Sequence, residues 1–465
     1  MRCSPLPTAS QERQSDKRSG APHAPGQPSE RPTGRAPTPA SSRGRRPPWL
    51  ILAAVVPAGL SLGVSLSILV AMLTVPEAAR GVDFHVFYAA GWAVRHGLDP
   101  YRASALAHAS IQSARTTSGQ PLGAFPYLPW VGWAMAPWSL LPYPASLVLW
   151  QVLSGTLVLA SAGVWARSLG WHRAWPLGIL ASVSTVAFLG YQVGQFDAVA
   201  LTLVVGTSTA VGRGRWLLAG LASAAVVLLK PQVTLPLVPL LWVVVVRERA
   251  PLRSVLTGQA VALAVLVGLP MFLQPRRTGA WIHLVMDFSH SIGQGQFTPV
   301  GLSGLIKVAP SSWHLSSGLT SPTTIGLVAG GLAAMVFVVW APMPGRDGGR
   351  SRTTRAGWGL LLPLGIWMLV TPYVHSYDIL ILLPLFVLTL GPGAVELLRP
   401  LPWVIMGSLL LLPVVFPHIP ESIRTAGPLT SLAVLALVLF AVGRRPRTQE
   451  VEVRQLAASR PAGQG

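Results

Sequence analysis

The chain has 465 residues and a formal net charge of +20, yet only 11% of its residues are charged while 51% are hydrophobic. Soluble domains carry about 25% charged residues, so this composition leaves too little polar surface for a soluble globule and turns the basic charge away from nucleic acid and towards a membrane. The single cysteine, Cys3, excludes an intrachain disulfide framework and any cysteine-built zinc site.

Residues 1–47 are rich in Pro, Ser, Gly and Arg without hydrophobic periodicity, which predicts a disordered basic tail. The first apolar run starts only near Pro48 and is too long for the h-region of a cleaved signal peptide. Twelve apolar runs follow, at about 49–74, 144–166, 174–190, 196–211, 215–230, 232–246, 254–273, 324–341, 357–371, 378–392, 401–416 and 428–443. They predict an all-α polytopic membrane protein of about twelve transmembrane helices, with 48–443 as the membrane domain and 444–465 as a C-terminal tail. Several runs fall short of the ~20 residues a perpendicular helix needs, so their ends extend into flanking polar residues.

Lys and Arg set the expected orientation. With the N-terminus cytoplasmic, 26 of the 35 basic residues fall on inside segments, and every inside connection carries at least one. Both termini are then cytoplasmic, with net charges of +18 inside and +2 outside. Two outside segments are long, 75–143 and 274–323, and eight of the ten histidines lie outside. Long loops rich in aromatics, His and Pro are functional more often than disordered, so any chemistry is expected to face outward.

The first outside segment opens Asp83-Phe84-His85-Val86-Phe87-Tyr88. Phe84, Phe87, Tyr88 and Trp92 recur at helical spacing, which predicts an interfacial helix with an aromatic stripe, stopped by Gly97 and Pro100. Phe125-Pro126-Tyr127-Leu128-Pro129-Trp130 through Pro142 is apolar but Pro-interrupted, hence a membrane-dipping or interfacial segment rather than a further span. Asp83 suits a helix N-cap or a catalytic base; Asp197, after Gly194-Gln195-Phe196, suits a cap of the fourth span. Lys230 at an outer helix end suits snorkelling or a lipid phosphate. The turn Thr371-Pro372-Tyr373-Val374-His375-Ser376-Tyr377-Asp378 gathers a His, two tyrosines and a carboxylate, with Asp378 again a cap candidate. His283, Asp287 and His290 stand at i, i+4 and i+7 and could share a helix face; without a carboxylate-rich cluster they read as surface residues rather than a metal site.

Together these motifs resemble glycosyltransferase family 87, the polyprenyl-phosphate-sugar-dependent enzymes that include α-1,2-mannosyltransferases of envelope biosynthesis. The resemblance rests on Asp83, Phe84, Phe87, Tyr88, Ala89 and Ala90, on Pro100-Tyr101, and on Phe125 to Pro129, where the family commonly reads Tyr-Pro-Pro. It continues through Gly194-Gln195-x-Asp197, Ala219-Gly220, Lys230-Pro231 and Pro372 to Asp378, with Asp197 standing where the family more often carries Asn. It implies a GT-C fold, Asp83 as catalytic base, and an inverting transfer of a sugar, mannose expected, from a β-linked polyprenyl-phosphate donor to an extracytoplasmic glycolipid or lipoglycan. Related members transfer arabinofuranose.

The residue chemistry fits that reaction. In-line displacement needs one base for the acceptor hydroxyl, and a phosphate leaving group needs positive charge or hydrogen bonds rather than a general acid. Lys230 and His375, with Tyr377 as a further donor, are the candidates for the donor phosphate; Tyr88, Gln195, Asp197 and Asp378 are the candidates for other substrate contacts. No Asp-x-Asp pair occurs, so neither metal nor cofactor is expected. The alternative is a major-facilitator-like secondary transporter, which shares twelve spans and internal termini but keeps ionisable residues near the bilayer midplane.

Overall fold

The computed structural model describes residues 81–114, 124–170, 175–182, 184–292, 322–340, 351–371, 374–390 and Val438, all within the larger of two units, Pro47–Gly465. Every regular element among these residues is helical.

The first described helix, α1 (Val82–Arg95), starts after Gly81, whose φ of 66° is open to glycine at little cost. It stops as expected at Gly97, with φ of 75° and Leu98 N–H donating to Ala93 O. The aromatic stripe forms but faces protein: Phe84, Phe87 and Tyr88 are buried in a cluster with α2 (Ala103–Ala114), Phe125, α3 (Pro129–Met135) and the start of α4. The Pro-rich stretch before α4 yields only the seven residues of α3 and a 3-10 turn at Trp138–Leu140, so it makes no span.

Among the described residues, two helices are long and apolar enough to cross a bilayer. One is α4 (Tyr143–Ser168); the other runs Leu252–Leu273 with a π-helical turn at Ala264–Gly268. Each leaves most of its apolar window uncovered, exposing Val148, Leu149 and Val152 on the first and Val265, Leu269 and Phe272 on the second. A core helix of a soluble protein would hide that surface; lipid is the solvent it suits.

The third apolar run is not one helix but two, α5 (Trp175–Ser182) and α6 (Thr185–Val193). Ser184 caps α6 by accepting from Ala187 N–H, and Tyr191 Oη returns to the carbonyl of Ser182. Then come α7 (Asp197–Gly212), α8 (Trp216–Leu229), the short α9 (Pro231–Thr234), α10 (Leu237–Arg247) and α11 (Leu252–Leu273). Close approach of α8 and α11 depends on Gly220 and Gly258: a Cβ on either would meet a backbone carbonyl oxygen of the other helix, of Val255 or Leu217, at 2.1 or 2.2 Å. The second long loop contributes α12 (Pro275–Ile292), an 18-residue helix with Trp281 packed inward and Ile282 and Met286 exposed. Next are α13 (Pro322–Trp340) and α14 (Arg352–Val370), the latter buried almost throughout despite Pro363. A 3-10 segment, Ser376–Leu382, leads into α15 (Leu383–Leu390).

The described residues do not show all twelve expected spans. Besides the two long helices, the described residues include five shorter apolar ones, at Asp197–Gly212, Trp216–Leu229, Pro231–Arg247, Ile325–Val338 and Tyr377–Thr389. The runs at 49–74, 401–416 and 428–443 lie outside the described residues, apart from Val438.

The bundle has two chemically different ends. At one, the end of α10 meets the start of α14, where Glu248 pairs with Arg352 at 3.4 Å and Arg355 at 3.2 Å beside Gly212 and Gly214. At the other, the start of α7, the ends of α8 and α14 and the 375–378 turn converge.

Candidate functional site

Asp83 sits in the first turn of α1, but no side chain caps that helix; its carboxylate is used elsewhere. Three contacts dock α1 on the end of α6. Gly81 N–H donates to Gln192 O at 2.9 Å. Gly194, at φ 77°, lies so near Phe84 that a Cβ there would stand 2.3 Å from the Phe84 Cβ. Gln195 Nε2 then donates to Asp83 Oδ2 at 2.6 Å. Burial lifts the Asp83 carboxyl above the usual carboxylate range, while the Gln195 bond and the charges of His375 and Lys230 pull it back.

Beside it lies a buried ion cluster. Lys230, at the end of α8, places Nζ 2.5 Å from Asp197 Oδ1 and 2.6 Å from Asp378 Oδ1, and all three residues are about 1% exposed. The fourth-span cap expected of Asp197 is therefore absent, since no side chain caps α7; its Oδ2 has no hydrogen-bond partner among the described residues. Snorkelling of Lys230 is also not seen: the ammonium points inward, 5.3 Å from the Tyr377 ring centroid. Asp378 does cap. Its Oδ2 accepts from His375 N–H at 2.7 Å while its other oxygen holds Lys230, so the cap and the ion pair are one carboxylate's two oxygens.

The turn thus anchored presents His375 stacked on Tyr377, with ring centroids 5.0 Å apart and planes 7° from parallel. Both remain half-buried rather than sealed. Of the sequence-predicted residues, Asp83, Gln195, His375 and Tyr377 share this partly open region, and Asp197, Lys230 and Asp378 form its floor. Tyr88 does not join them: it is 2% exposed and donates its hydroxyl to Leu141 O at 2.6 Å, so it holds α1 against the α3–α4 connection. His283 and Asp287 do share α12 and are exposed there; the side chain of His290 lies outside the described residues.

Tyr127 is the residue that motif reading did not single out for the site. Its hydroxyl donates to Gln195 Oε1 at 3.2 Å, and its own carbonyl accepts from Tyr101 Oη at 2.9 Å. Only the Pro-flanked motif around it signalled its place, because its partner stands 68 positions away in sequence. The site lies where the two hydrophobic clusters meet, with Phe196 belonging to one and Ala198 to the other.

A sequence model of glycosyltransferase family 87 matches residues 125–372, more than half of the chain. No curated protein matches the chain, and no solved structure does. The matched stretch carries Tyr127, Gln195, Asp197 and Lys230; Asp83 precedes it, and His375 and Asp378 follow it, each joined to it by the bonds above.

Proposed function

Starting from a chain that belongs to glycosyltransferase family 87, and so is a membrane glycosyltransferase, we propose that it transfers mannose from a polyprenyl-phosphate donor to a glycolipid or lipoglycan, with inversion and with Asp83 as base. The observation that carries this reading is the state of the Asp83 carboxylate. Gln195 occupies Oδ2, no donor among the described residues reaches Oδ1, and burial raises the proton affinity of the group. A carboxylate held at one oxygen, with the other left to a substrate and its basicity raised by burial, suits proton acceptance from an alcohol.

In the proposed reaction the acceptor hydroxyl gives its proton to Asp83 Oδ1 as its oxygen bonds to the anomeric carbon. The bond from that carbon to the phosphate oxygen breaks, and polyprenyl phosphate leaves with the electron pair, so that a β-linked donor gives an α-linked product. His375 and the Tyr377 hydroxyl serve the departing phosphate as hydrogen-bond donors. Lys230, first a candidate for the same task, is better suited to anchoring their turn, because two carboxylates already surround its ammonium. No step calls for a metal or a cofactor.

The proposed setting is the plasma membrane, with the site on the extracytoplasmic face and both termini cytoplasmic. The arginine-bearing end around Glu248 supports that orientation through the bias of basic residues towards the cytoplasm. Family membership sets a secondary transporter aside, and Asp83, Asp197, Lys230 and Asp378 stand at element ends rather than mid-helix.

The test is purified protein given radiolabelled polyprenyl-phosphate mannose and a glycolipid pool. Label should enter the glycolipid in a form that an α-mannosidase releases. Absence of label in glycolipid, or a product resistant to that enzyme, contradicts the donor and the stereochemistry respectively.

A further inference from the structure

We propose that Gln195, with its amide braced by Tyr127, is a positioning residue for Asp83 that holds Oδ2 and leaves Oδ1 to the acceptor. The inference rests on Asp83 being the base, and replaces a direct substrate contact for Gln195 with a role exerted through the carboxylate.

The orientation of the amide follows from its neighbours. Oε1 faces two donors, the Tyr127 hydroxyl at 3.2 Å and Phe196 N–H at 3.4 Å, while Nε2 faces Asp83 Oδ2 at 2.6 Å. Turning the amide over would set its NH2 against Phe196 N–H and its carbonyl against a carboxylate, so those two contacts would become repulsive, while the Tyr127 hydroxyl would turn from donor to acceptor. Tyr127 is itself held from two sides. Tyr101 Oη donates to its carbonyl, and Trp281 Nε1, from α12, donates to the adjacent Pro126 carbonyl at 3.1 Å. Its ring packs edge-on against Phe87 of α1, 5.1 Å between centroids. Gln195 therefore ties the base to α12 and the Pro-rich segment as well as to α6.

The charged and titratable groups acting on Asp83 are His375, Lys230 and Asp378. On its own helix His85 bonds Ser110 of α2 instead, at 2.8 Å. Among these influences the Gln195 bond favours the ionised carboxylate, so its loss moves the titration of Asp83 upward. Because the base works ionised, the acid limb of the pH–rate profile moves to higher pH with it.

Two readouts test this on the full-length protein in detergent. Infrared difference titration, with the Asp83→Asn spectrum subtracted, follows the Asp83 carboxyl band without turnover. Its midpoint should rise in Gln195→Met and, by a smaller step, in Tyr127→Phe, where Phe196 N–H still holds the amide. In the transfer assay Gln195→Met should lower kcat by about 10–100-fold, with donor KM within about threefold and the acid limb displaced upward. An unchanged midpoint in both variants overturns the inference, as does a rise in KM with unchanged kcat, which would make Gln195 a substrate contact. Should Gln195→Met fail to fold, the midpoint in Tyr127→Phe decides between the same two outcomes. Activity retained by Asp83→Asn would instead overturn the assignment of the base, so the two failures are distinguishable.

Discussion

Replacing Lys230 with Met should destabilise the bundle more than any other single change to the ion cluster. The ammonium is about 1% exposed and lies 2.5 and 2.6 Å from two carboxylates that are equally buried. Removing it leaves two acidic groups facing each other in a dry interior, a change that costs about 3–5 kcal/mol when a buried pair is broken on one side. The loss is uneven. Asp378 keeps the His375 N–H at 2.7 Å, whereas Asp197 Oδ2 already has no partner among the described residues. Asp197→Asn should therefore cost least, since Lys230 retains Asp378, and Asp378→Asn should cost more, since the cap of the 375–378 turn weakens with it. Making all three groups neutral, with Met at 230 and Asn at 197 and 378, should recover most of what Lys230→Met loses, because no uncompensated charge remains. Thermal unfolding in one detergent at fixed pH measures the order. If Lys230→Met costs under about 1 kcal/mol, or Asp197→Asn costs as much as Lys230→Met, the reading of the cluster as a paired buried anchor is wrong.

Three further outcomes are expected. Gly194→Ala should cost at least about 2 kcal/mol, from the left-handed backbone and overlap with Phe84, and should lower transfer by lifting α1 off Gln195; wild-type stability in this variant would refute the docking geometry. His85 is half-buried, and its partial burial lowers its pKa from 6.5 to about 4. Its depressed value means its contribution is present above pH 6.5 and is lost as pH falls towards 4, by at most about 3 kcal/mol. His85→Phe should remove that part of the acid sensitivity, as read by unfolding at pH 7 and pH 4.5. In a Cys3→Ser background, His290→Cys should react with a membrane-impermeant thiol reagent from the extracytoplasmic side; reaction from the cytoplasmic side alone inverts the topology.

Much of the site was legible because its residues are polar outliers in apolar surroundings. Asp83, Gln195, Asp197, Lys230, His375, Tyr377 and Asp378 stand out against the runs that flank them, and each is joined by a direct hydrogen bond, ring stacking or cation–π contact to another of the set. Their pairings were not legible. Asp83, Asp197 and Asp378 all suit a cap by type and position, and only tertiary contacts separate them: Asp83 turns to Gln195 and Asp197 to Lys230, whereas Asp378 meets Lys230 with one oxygen and the His375 N–H with the other. Tyr88 misled for a related reason: helical spacing shows that Phe84, Phe87 and Tyr88 share a stripe but not whether lipid, substrate or protein lies opposite. The third apolar run hid the Ser184 break because a serine inside a hydrophobic stretch reads as tolerated until the hydrogen bond to Ala187 is seen. Glycines 194, 220 and 258 carry close approaches whose partners lie far away in sequence or on another helix, so periodicity gives no sign of them.

The most direct measurement is transfer from radiolabelled polyprenyl-phosphate mannose to glycolipid by wild-type protein and by Asp83→Asn, the two compared at matched folded concentration. Loss of the base should lower kcat by about 10²–10⁴-fold while the variant keeps wild-type thermal stability to within about 1 kcal/mol. Full transfer by Asp83→Asn would contradict the assignment of Asp83 as the group that takes the acceptor proton.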